Sequence, residues 1–245
     1  MSDAPGGRVL VVIPTYDEAA HLDSLLDAVM GIATNVSVLV VDDGSTDGTL
    51  EIAQRRMTGS RINLLAREVK GGLGKAYVDG FGWGLERGFT HFIEMDADLS
   101  HDPASLPELI EGAHTCGLVI GSRYISGGRV VGWSKGRHLL SQAGNLYARR
   151  MLGYKVQDST SGFRCYRAEV LKAIGLDRVQ SQGYAFQIEM TYKTWLLGHS
   201  IKEVPIVFRE RTAGESKMSK AVVVEAITSI TRWGIRDRLK NKGRR

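Results

Sequence analysis

The stretch His91–Asp98, HFIEMDAD, decides the fold. Phe92, Ile93 and Met95 leave little for a solvent-facing side, so the segment reads as a short strand buried among other elements. It ends in two carboxylates separated by one small residue. The same pattern repeats on its N-terminal side. Arg8–Ile13 (RVLVVI) runs into Pro14, and Val36–Val41 (VSVLVV) runs into Asp42, Asp43 and Gly44. Between those strands Leu22, Leu25, Leu26 and Val29 recur at helical spacing. Thr49–Arg56 and Lys75–Arg87 read as helices, with a weak strand at Ile62–Ala66. Beyond His91–Asp98 come a helix over Ser105–Thr115 and a strand over Leu118–Gly121. Apolar strands alternating with helices predict an α/β fold: a mainly parallel, Rossmann-like sheet flanked by helices, in a single domain. Ligands of such sheets bind at the carboxyl ends of the strands. Carboxylates stand at those ends after the first, second and fourth strands.

The second half is less regular. Ser122–Gly136 is glycine-rich and reads as a long loop, a length uncommon without a function. Helices are expected over Arg137–Leu152, Glu169–Ile174 and Ala185–Leu197, a strand over Lys202–Phe208, and a loop over Arg209–Ser219. No element is assigned to DSTSGFRCYR (158–167). Ala221–Arg238 is amphipathic, with Val222, Ala226, Ile230 and Trp233 able to share one face. The chain is therefore expected to divide into a catalytic unit, residues 1–218, and a basic amphipathic C-terminal helix and tail, residues 219–245.

Composition narrows the function. The 245 residues are 43% hydrophobic and 24% charged, with only 5 prolines, which fits a globular chain and excludes disorder. The 29 glycines point to tight turns and backbone-lined sites. A net charge of +5 fits an anionic partner. No apolar run reaches the roughly eighteen residues of a spanning helix, and the N-terminus does not read as a secretory signal. The expected location is cytoplasmic. Cys116 and Cys165 lie far apart with no metal-spaced partner and read as small hydrophobes.

Three motifs fail on inspection. Gly71–Ala76 (GGLGKA) has the wrong spacing for a phosphate loop and lacks a Ser or Thr after its Lys. Asp43–Gly48 begins like a calcium loop, but its twelfth position is Gln54 and a strand precedes it. Gly80–Gly84 (GFGWG) is out of register for a dinucleotide fingerprint.

Asp96 and Asp98 carry more weight. Two carboxylates flanking Ala97 at the mouth of a sheet suit one hard divalent cation, Mg2+ or Mn2+, which also takes substrate phosphates. Aspartate is common in strand-to-loop turns, so this pair alone would not make a site. It has company: Asp42-Asp43-Gly44-Ser45 follows the second strand, and Pro14-Thr15-Tyr16-Asp17-Glu18 follows the first. An aromatic ring beside carboxylates suits a nucleobase and a ribose. Asp47 reads as a helix cap.

VVIPTYDEAAHL, VVDDGSTDGT, KGGLGKAYVDGF, MDADLSHDP, GSRYISGG, DSTSGFRCYR and VPIVFRERTAGESKM occur here in the order found in family 2 glycosyltransferases of the GT-A fold. Over about Arg8–Met218 the chain most resembles the dolichol-phosphate (polyprenyl-phosphate) mannosyltransferases, in the short form without transmembrane helices. The resemblance implies transfer of mannose from GDP-mannose to a polyprenyl monophosphate, giving polyprenyl-phosphate-mannose and GDP by metal-dependent inverting displacement. It implies that Pro14, Tyr16, Glu18, Val41 and Asp43 line a guanosine pocket and that Asp96 and Asp98 hold the metal, with Ala97 against the nucleotide. Arg123, Arg211 and Lys217 then meet phosphates. Some relatives place a Gln metal ligand where this chain has Ser100.

A phosphate monoester is already anionic at neutral pH, so it needs positioning and charge screening more than a general base. Arg137 and Arg164 are candidates for holding it, each also readable as a packing cation. RWGIRDRLKNKGRR (232–245) carries seven basic residues against one Asp beside Ile230 and Trp233. That composition suits peripheral attachment to the cytosolic face of a membrane; a transmembrane partner protein is also compatible, and no nucleic-acid partner is expected. The competing readings are a polyprenyl-phosphate glucosyltransferase using UDP-glucose, a nucleotidyltransferase, and a non-catalytic nucleotide- or membrane-binding module. The nucleotidyltransferase lacks its glycine-rich loop. The binding module has no need of carboxylates at three strand ends.

Overall fold

The computed structural model describes residues 7–32, 35–57, 61–68, 70–210 and 220–242. In chain order the first half comprises β1 (Val9–Thr15), α1 (Ala19–Ile32), β2 (Val36–Asp42), α2 (Thr49–Met57), β3 (Ile62–Ala66), α3 (Leu73–Glu86), β4 (His91–Glu94), α4 (Leu106–Ala113) and β5 (Leu118–Ser122). The second half comprises β6 (Arg129–Val131), α5 (Lys135–Leu152), β7 (Arg164–Arg167), α6 (Ala168–Ile174), α7 (Gly183–Leu196), β8 (Ile201–Pro205), β9 (Val207–Arg209) and α8 (Lys220–Lys242).

Seven strands form one sheet in the order β3-β2-β1-β4-β7-β5-β8, and β6 pairs with β9 in a small second sheet. Every pairing in the large sheet is parallel except those of β7, which runs antiparallel to both β4 and β5. Side chains alternate across β1. Val9, Val11 and Ile13 join Leu22, Leu25, Leu106 and Leu109 of α1 and α4 on one face. Leu10 and Val12 join Tyr77, Phe81, Phe186 and Ile230 of α3, α7 and α8 on the other. Both faces are covered, as the uniformly apolar strands predict.

Four features depart from the sequence reading. The stretch Ser122–Gly136 is not all loop, because β6 forms inside it. The expected strand Lys202–Phe208 breaks at Ile206, whose amide makes the last bond to β5 by donating to the Ser122 carbonyl at 3.0 Å, and β9 leaves to pair with β6. DSTSGFRCYR contains β7, a strand inserted between β4 and β5. The apolar face of α8 is also used differently. Ala226 and Ile230 are buried, and Trp233 stacks on Tyr192 of α7 at 6.2 Å. That face closes the domain, so Ile230 and Trp233 do not form the membrane-facing side expected of them.

Asp47 caps as read, and does so for two helices. Its carboxylate accepts from the Ala19 amide of α1 at 2.9 Å and from the Thr49 amide of α2 at 3.0 Å.

The GFGWG motif has a packing explanation. A Cβ at Gly84 would lie 2.5 Å from Phe92 and 2.6 Å from Leu10, and one at Gly80 would lie 2.6 Å from Val12. These glycines let α3 lie directly on the sheet, whereas Gly82 faces open space. Gly84→Ala is therefore expected to cost about 1–3 kcal/mol through overpacking. Gly82→Ala is expected to gain about 0.5–1 kcal/mol from helix propensity. Urea denaturation of the two variants checks the opposite signs.

Candidate active site

A cavity of about 350 Å³ opens at the carboxyl ends of β1, β2 and β4. The turn after β1 supplies Pro14, Tyr16 and Glu18 to its wall, the turn after β2 supplies Asp43, and the turn after β4 supplies Asp96, Ala97 and Asp98. Two of these turns are built on non-glycine residues in the left-handed region, Asp17 (φ 56°) and Leu99 (φ 59°). Such backbone is costly for a side chain like leucine, and it collects at functional sites. Asp17 is held by the amide of Thr46, which donates to its carboxylate at 2.8 Å. The Leu99 turn lets the amide of Ser100 donate to Asp98 Oδ1 at 3.0 Å.

The other carboxylates have structural work as well. Asp42 accepts from the hydroxyl of Thr15 and the amides of Gly44 and Ser45, so it fixes the exit of β2. Asp43 pairs with Arg67 and accepts from the amides of Gly71 and Gly72 at 3.2 and 3.1 Å. It thereby folds the Lys70–Gly72 turn over the cavity, where Lys70 Nζ sits 3.2 Å from the centroid of the Tyr16 ring.

Asp96 is the more open member of the DxD pair, its side chain 35% exposed. The Tyr77 hydroxyl lies 3.5 Å from its Oδ1. Burial, with Asp96 beside it, holds the Tyr77 phenol well above its usual range, so it stays protonated and donates. His101 stacks on Phe163 at 5.0 Å, and its Nδ1 accepts from the Asp96 amide at 3.3 Å. Burial lowers this imidazole to about 4 against the pull of Asp98, so it is neutral at pH 7. Beneath the pair, burial raises the Glu94 carboxyl to about 7 despite nearby Arg164.

The donor set suits Mg2+ or Mn2+. Besides Asp96 and Asp98, the cavity wall offers the amide of the buried Gln187. Hard cations of this kind take oxygen ligands and complete their shell with water and phosphate. No group of three or more His, Cys, Asp and Glu suited to a metal occurs among the described residues, so two carboxylates are the charged share.

The second half completes the walls with Thr160, Gly162, Tyr184 and Gln187, and α3 adds Leu73 and Ala76. None of these was singled out from sequence, nor were Lys70 and Gly72. The KGGLGK stretch enters the sequence reading as a rejected phosphate loop and as part of a family motif, with no residue role attached. Arg137 does line the cavity, and it also lines a second one of about 360 Å³ between α5 and α8. That second cavity is a groove walled by Trp133, Leu140, Tyr147, Ile188, Ile227 and Ile230. The two cavities share Arg137, Thr160 and Tyr184.

Other expected site residues stand elsewhere. Val41 is buried in the core beside Gly80. Arg164 is fully buried, and its guanidinium donates to the carbonyls of Ser159, Ser161 and Gln187 and to Thr191 Oγ1. Its expected contact with an acceptor phosphate is corrected: it is an internal brace. Arg123 gives both arms of its fork to Asp158, at 2.7 and 2.6 Å, and reaches Thr160 Oγ1 at 2.8 Å. Burial of Asp158 opposes its ionisation, but Arg123 wins and lowers its pKa. Arg123 therefore places Thr160 at the junction and is not itself on the cavity wall. Arg211 and Lys217 lie outside the described residues.

The model of one protein family, described as glycosyl transferase family 2, matches residues 10–175. An undecaprenyl-phosphate mannosyltransferase of Micrococcus luteus is 50% identical over 229 residues, 93% of this chain and 94% of that protein. A polyprenol monophosphomannose synthase of Mycolicibacterium smegmatis is 45% identical over 238 residues, 96% of this chain and 90% of that protein. Among solved structures, glucosyl-3-phosphoglycerate synthase from Mycobacterium tuberculosis in complex with phosphoglyceric acid superposes with a TM-score of 0.70 at 22% identity. The match covers 92% of this chain and 80% of that one, and it shows a shared fold.

Arg123→Met takes the paired guanidinium from the buried Asp158 and leaves it the amide of residue 123 and the Thr160 hydroxyl, so the expected loss of stability is about 3 kcal/mol. Arg123→Met combined with Asp158→Leu should recover most of it. Denaturation midpoints of the single and double variants decide: a mild single-variant effect would detach Arg123 from this structural role.

Proposed function

The chain belongs to glycosyl transferase family 2, and we propose that it transfers mannose from GDP-mannose to a polyprenyl monophosphate at the membrane surface. One observation carries this reading: a carboxylate-rich cavity and an apolar groove meet at a single arginine, Arg137. A nucleotide-sugar suits the first and a hydrocarbon chain the second. The names of the two bacterial relatives supply the same pairing of mannosyl transfer with a polyprenyl phosphate.

In this reading Tyr16, Glu18 and Asp43 receive the guanosine, and Asp96 and Asp98 hold Mg2+ or Mn2+ with the diphosphate. When bound, the cation neutralises charge on the departing GDP. The acceptor's phosphate lies at the junction, where Arg137 Nε and Trp133 Nε1 are buried N–H donors with no acceptor. Such orphaned donors are costly unless a ligand satisfies them. A phosphate oxygen attacks C1 of mannose, the bond from C1 to the GDP oxygen breaks, and GDP leaves with the electron pair. No proton need be removed from a dianionic attacker. Inversion at C1 follows from the family resemblance. Arg211 and Lys217 belong to the same proposal as phosphate contacts, on sequence grounds alone.

Attachment to the bilayer is assigned to a surface other than the Ile230–Trp233 face. Nine of the fourteen exposed large apolar side chains of the described residues lie on α5, α8 and the end of α7, among them Leu139, Leu140, Leu197, Val224, Ile227 and Ile235. Arg178, Arg232 and Arg236 line the adjoining cleft between α7 and α8. Clustered apolar groups with flanking cations suit an interfacial membrane contact. No described helix is long and apolar enough to cross a membrane. We place the enzyme peripherally, on the cytosolic face.

The test is transfer of labelled mannose into a lipid extract. GDP-mannose with a polyprenyl phosphate and Mn2+ or Mg2+ should give labelled lipid, UDP-glucose should not, and Asp98→Asn should fall to background. Label from UDP-glucose alone would overturn the donor assignment. Leu140→Arg, at the wall of the groove, should raise KM for the lipid while GDP-mannose still shifts the melting temperature as in the parent. An unchanged lipid KM would remove the groove from the acceptor site.

A further inference from the structure

The same junction holds a negative charge that the transfer reaction does not require. Arg137 Nη1 donates to Glu210 Oε1 at 2.6 Å, with the two side chains 19% and 38% exposed. Both partners are fixed by their backbones. Arg137 lies in the first turn of α5, where its amide donates to the N-cap Ser134 at 3.3 Å, and its guanidinium sits 4.3 Å over the Trp133 ring. Glu210 continues the small sheet, its amide donating to the Val131 carbonyl at 2.9 Å. It also packs against Gly132, where an added Cβ would come within 2.8 Å of the Glu210 Cβ. The carboxylate therefore reaches Arg137 from the residue that follows β9, yet it satisfies neither Arg137 Nε nor Trp133 Nε1.

We infer that Glu210 is a specificity-determining carboxylate, occupying Arg137 until a dianionic phosphate monoester displaces it and keeping out monoanionic phosphodiester lipids. The inference rests on the acceptor reading above. An apolar groove whose end carries, among the described residues, one cation would accept almost any anionic lipid, and a membrane offers phosphodiesters in excess. Discrimination then needs a repulsive element as well as an attractive one. With Glu210 in place the Arg137 pair is neutral. A phosphodiester brings a single charge, no more than the carboxylate it would replace. A monoester brings close to two charges and three unsubstituted oxygens, enough to take the guanidinium fork and offer an acceptor to the orphaned donors. Glu210 acts through Arg137, so it is a positioning residue.

The experiment compares parent, Glu210→Gln, Glu210→Asp and Arg137→Ala in mannosyl transfer to farnesyl phosphate, with dioctanoyl phosphatidylglycerol as inhibitor. The carboxylate–guanidinium pair is half-exposed, so its removal should lower KM for farnesyl phosphate about threefold to fivefold, with KM for GDP-mannose unchanged. The inhibition constant for the phosphodiester should fall by more than the acceptor KM. Glu210→Asp should restore both values toward those of the parent. A raised acceptor KM in Glu210→Gln would show that the carboxylate only orients Arg137 and would overturn the inference. So would equal inhibition of parent and Glu210→Gln by phosphatidylglycerol. Arg137→Ala separates the two levels: an unchanged acceptor KM there means that the phosphate does not sit at Arg137, and the acceptor reading itself falls.

Discussion

A buried guanidinium holds the second half of this fold in place. Arg164 has no contact with solvent, so each of its N–H groups must find an acceptor inside the protein. It finds them on the 158–162 loop, at the carbonyls of Ser159 and Ser161, and on α7, at the Gln187 carbonyl and the Thr191 hydroxyl. A charge with these demands permits few arrangements of the loop. The one adopted brings Asp158 to Arg123 and sets Thr160 and Gly162 on the cavity wall. A residue expected to touch substrate instead fixes a segment of the cavity wall.

The same economy of position is seen on the other side of the DxD pair. Gly80 and Gly84 let α3 settle on the sheet, and Tyr77, one turn earlier, is thereby brought under Asp96. Tyr77 and His101 are both held neutral by burial and flank one carboxylate. Neither of these neighbours brings a positive charge to Asp96 at neutral pH. The sheet supplies the carboxylates, and α3 with the turn after β4 supplies the uncharged groups beside them.

Much of this was legible in the sequence because the relevant signals are local. Strands ending in Asp42, Asp43, Asp96 and Asp98 announce their own carboxyl ends, and parallel pairing gathers those ends at one edge. Pro14, Tyr16, Glu18, Asp43 and the DxD pair accordingly meet in one cavity. What was missed depends on partners distant in sequence. β7 is a four-residue strand whose neighbours are β4 and β5, so its own residues carry no sign of reversed direction. Tyr184 and Gln187 lie on a helix that looks like any other until α7 is docked. Arg164 and Arg137 are indistinguishable by residue type; only burial shows that one is a brace and the other lines a cavity. The apolar stripe of α8 is covered by protein, which its periodicity cannot show, since the same spacing serves a helix covered by lipid.

The antiparallel insertion also fixes an order of events during synthesis. β1 to β4 lie side by side in the order β3-β2-β1-β4, so the chain up to Glu94 contains a complete four-stranded parallel layer. β5 emerges next but has no place beside β4, because β7 stands between them. It must wait for residues 164–167 to leave the ribosome, and β8 must wait in turn for β5. Domains form from the N-terminus as the chain is made, and pairings distant in sequence form late. The nascent chain therefore presents a finished half-sheet with β4 as an open edge for some seventy residues of translation. A strand edge left open for that long is where a chaperone would be most useful, and where a slowly translated stretch would do most harm.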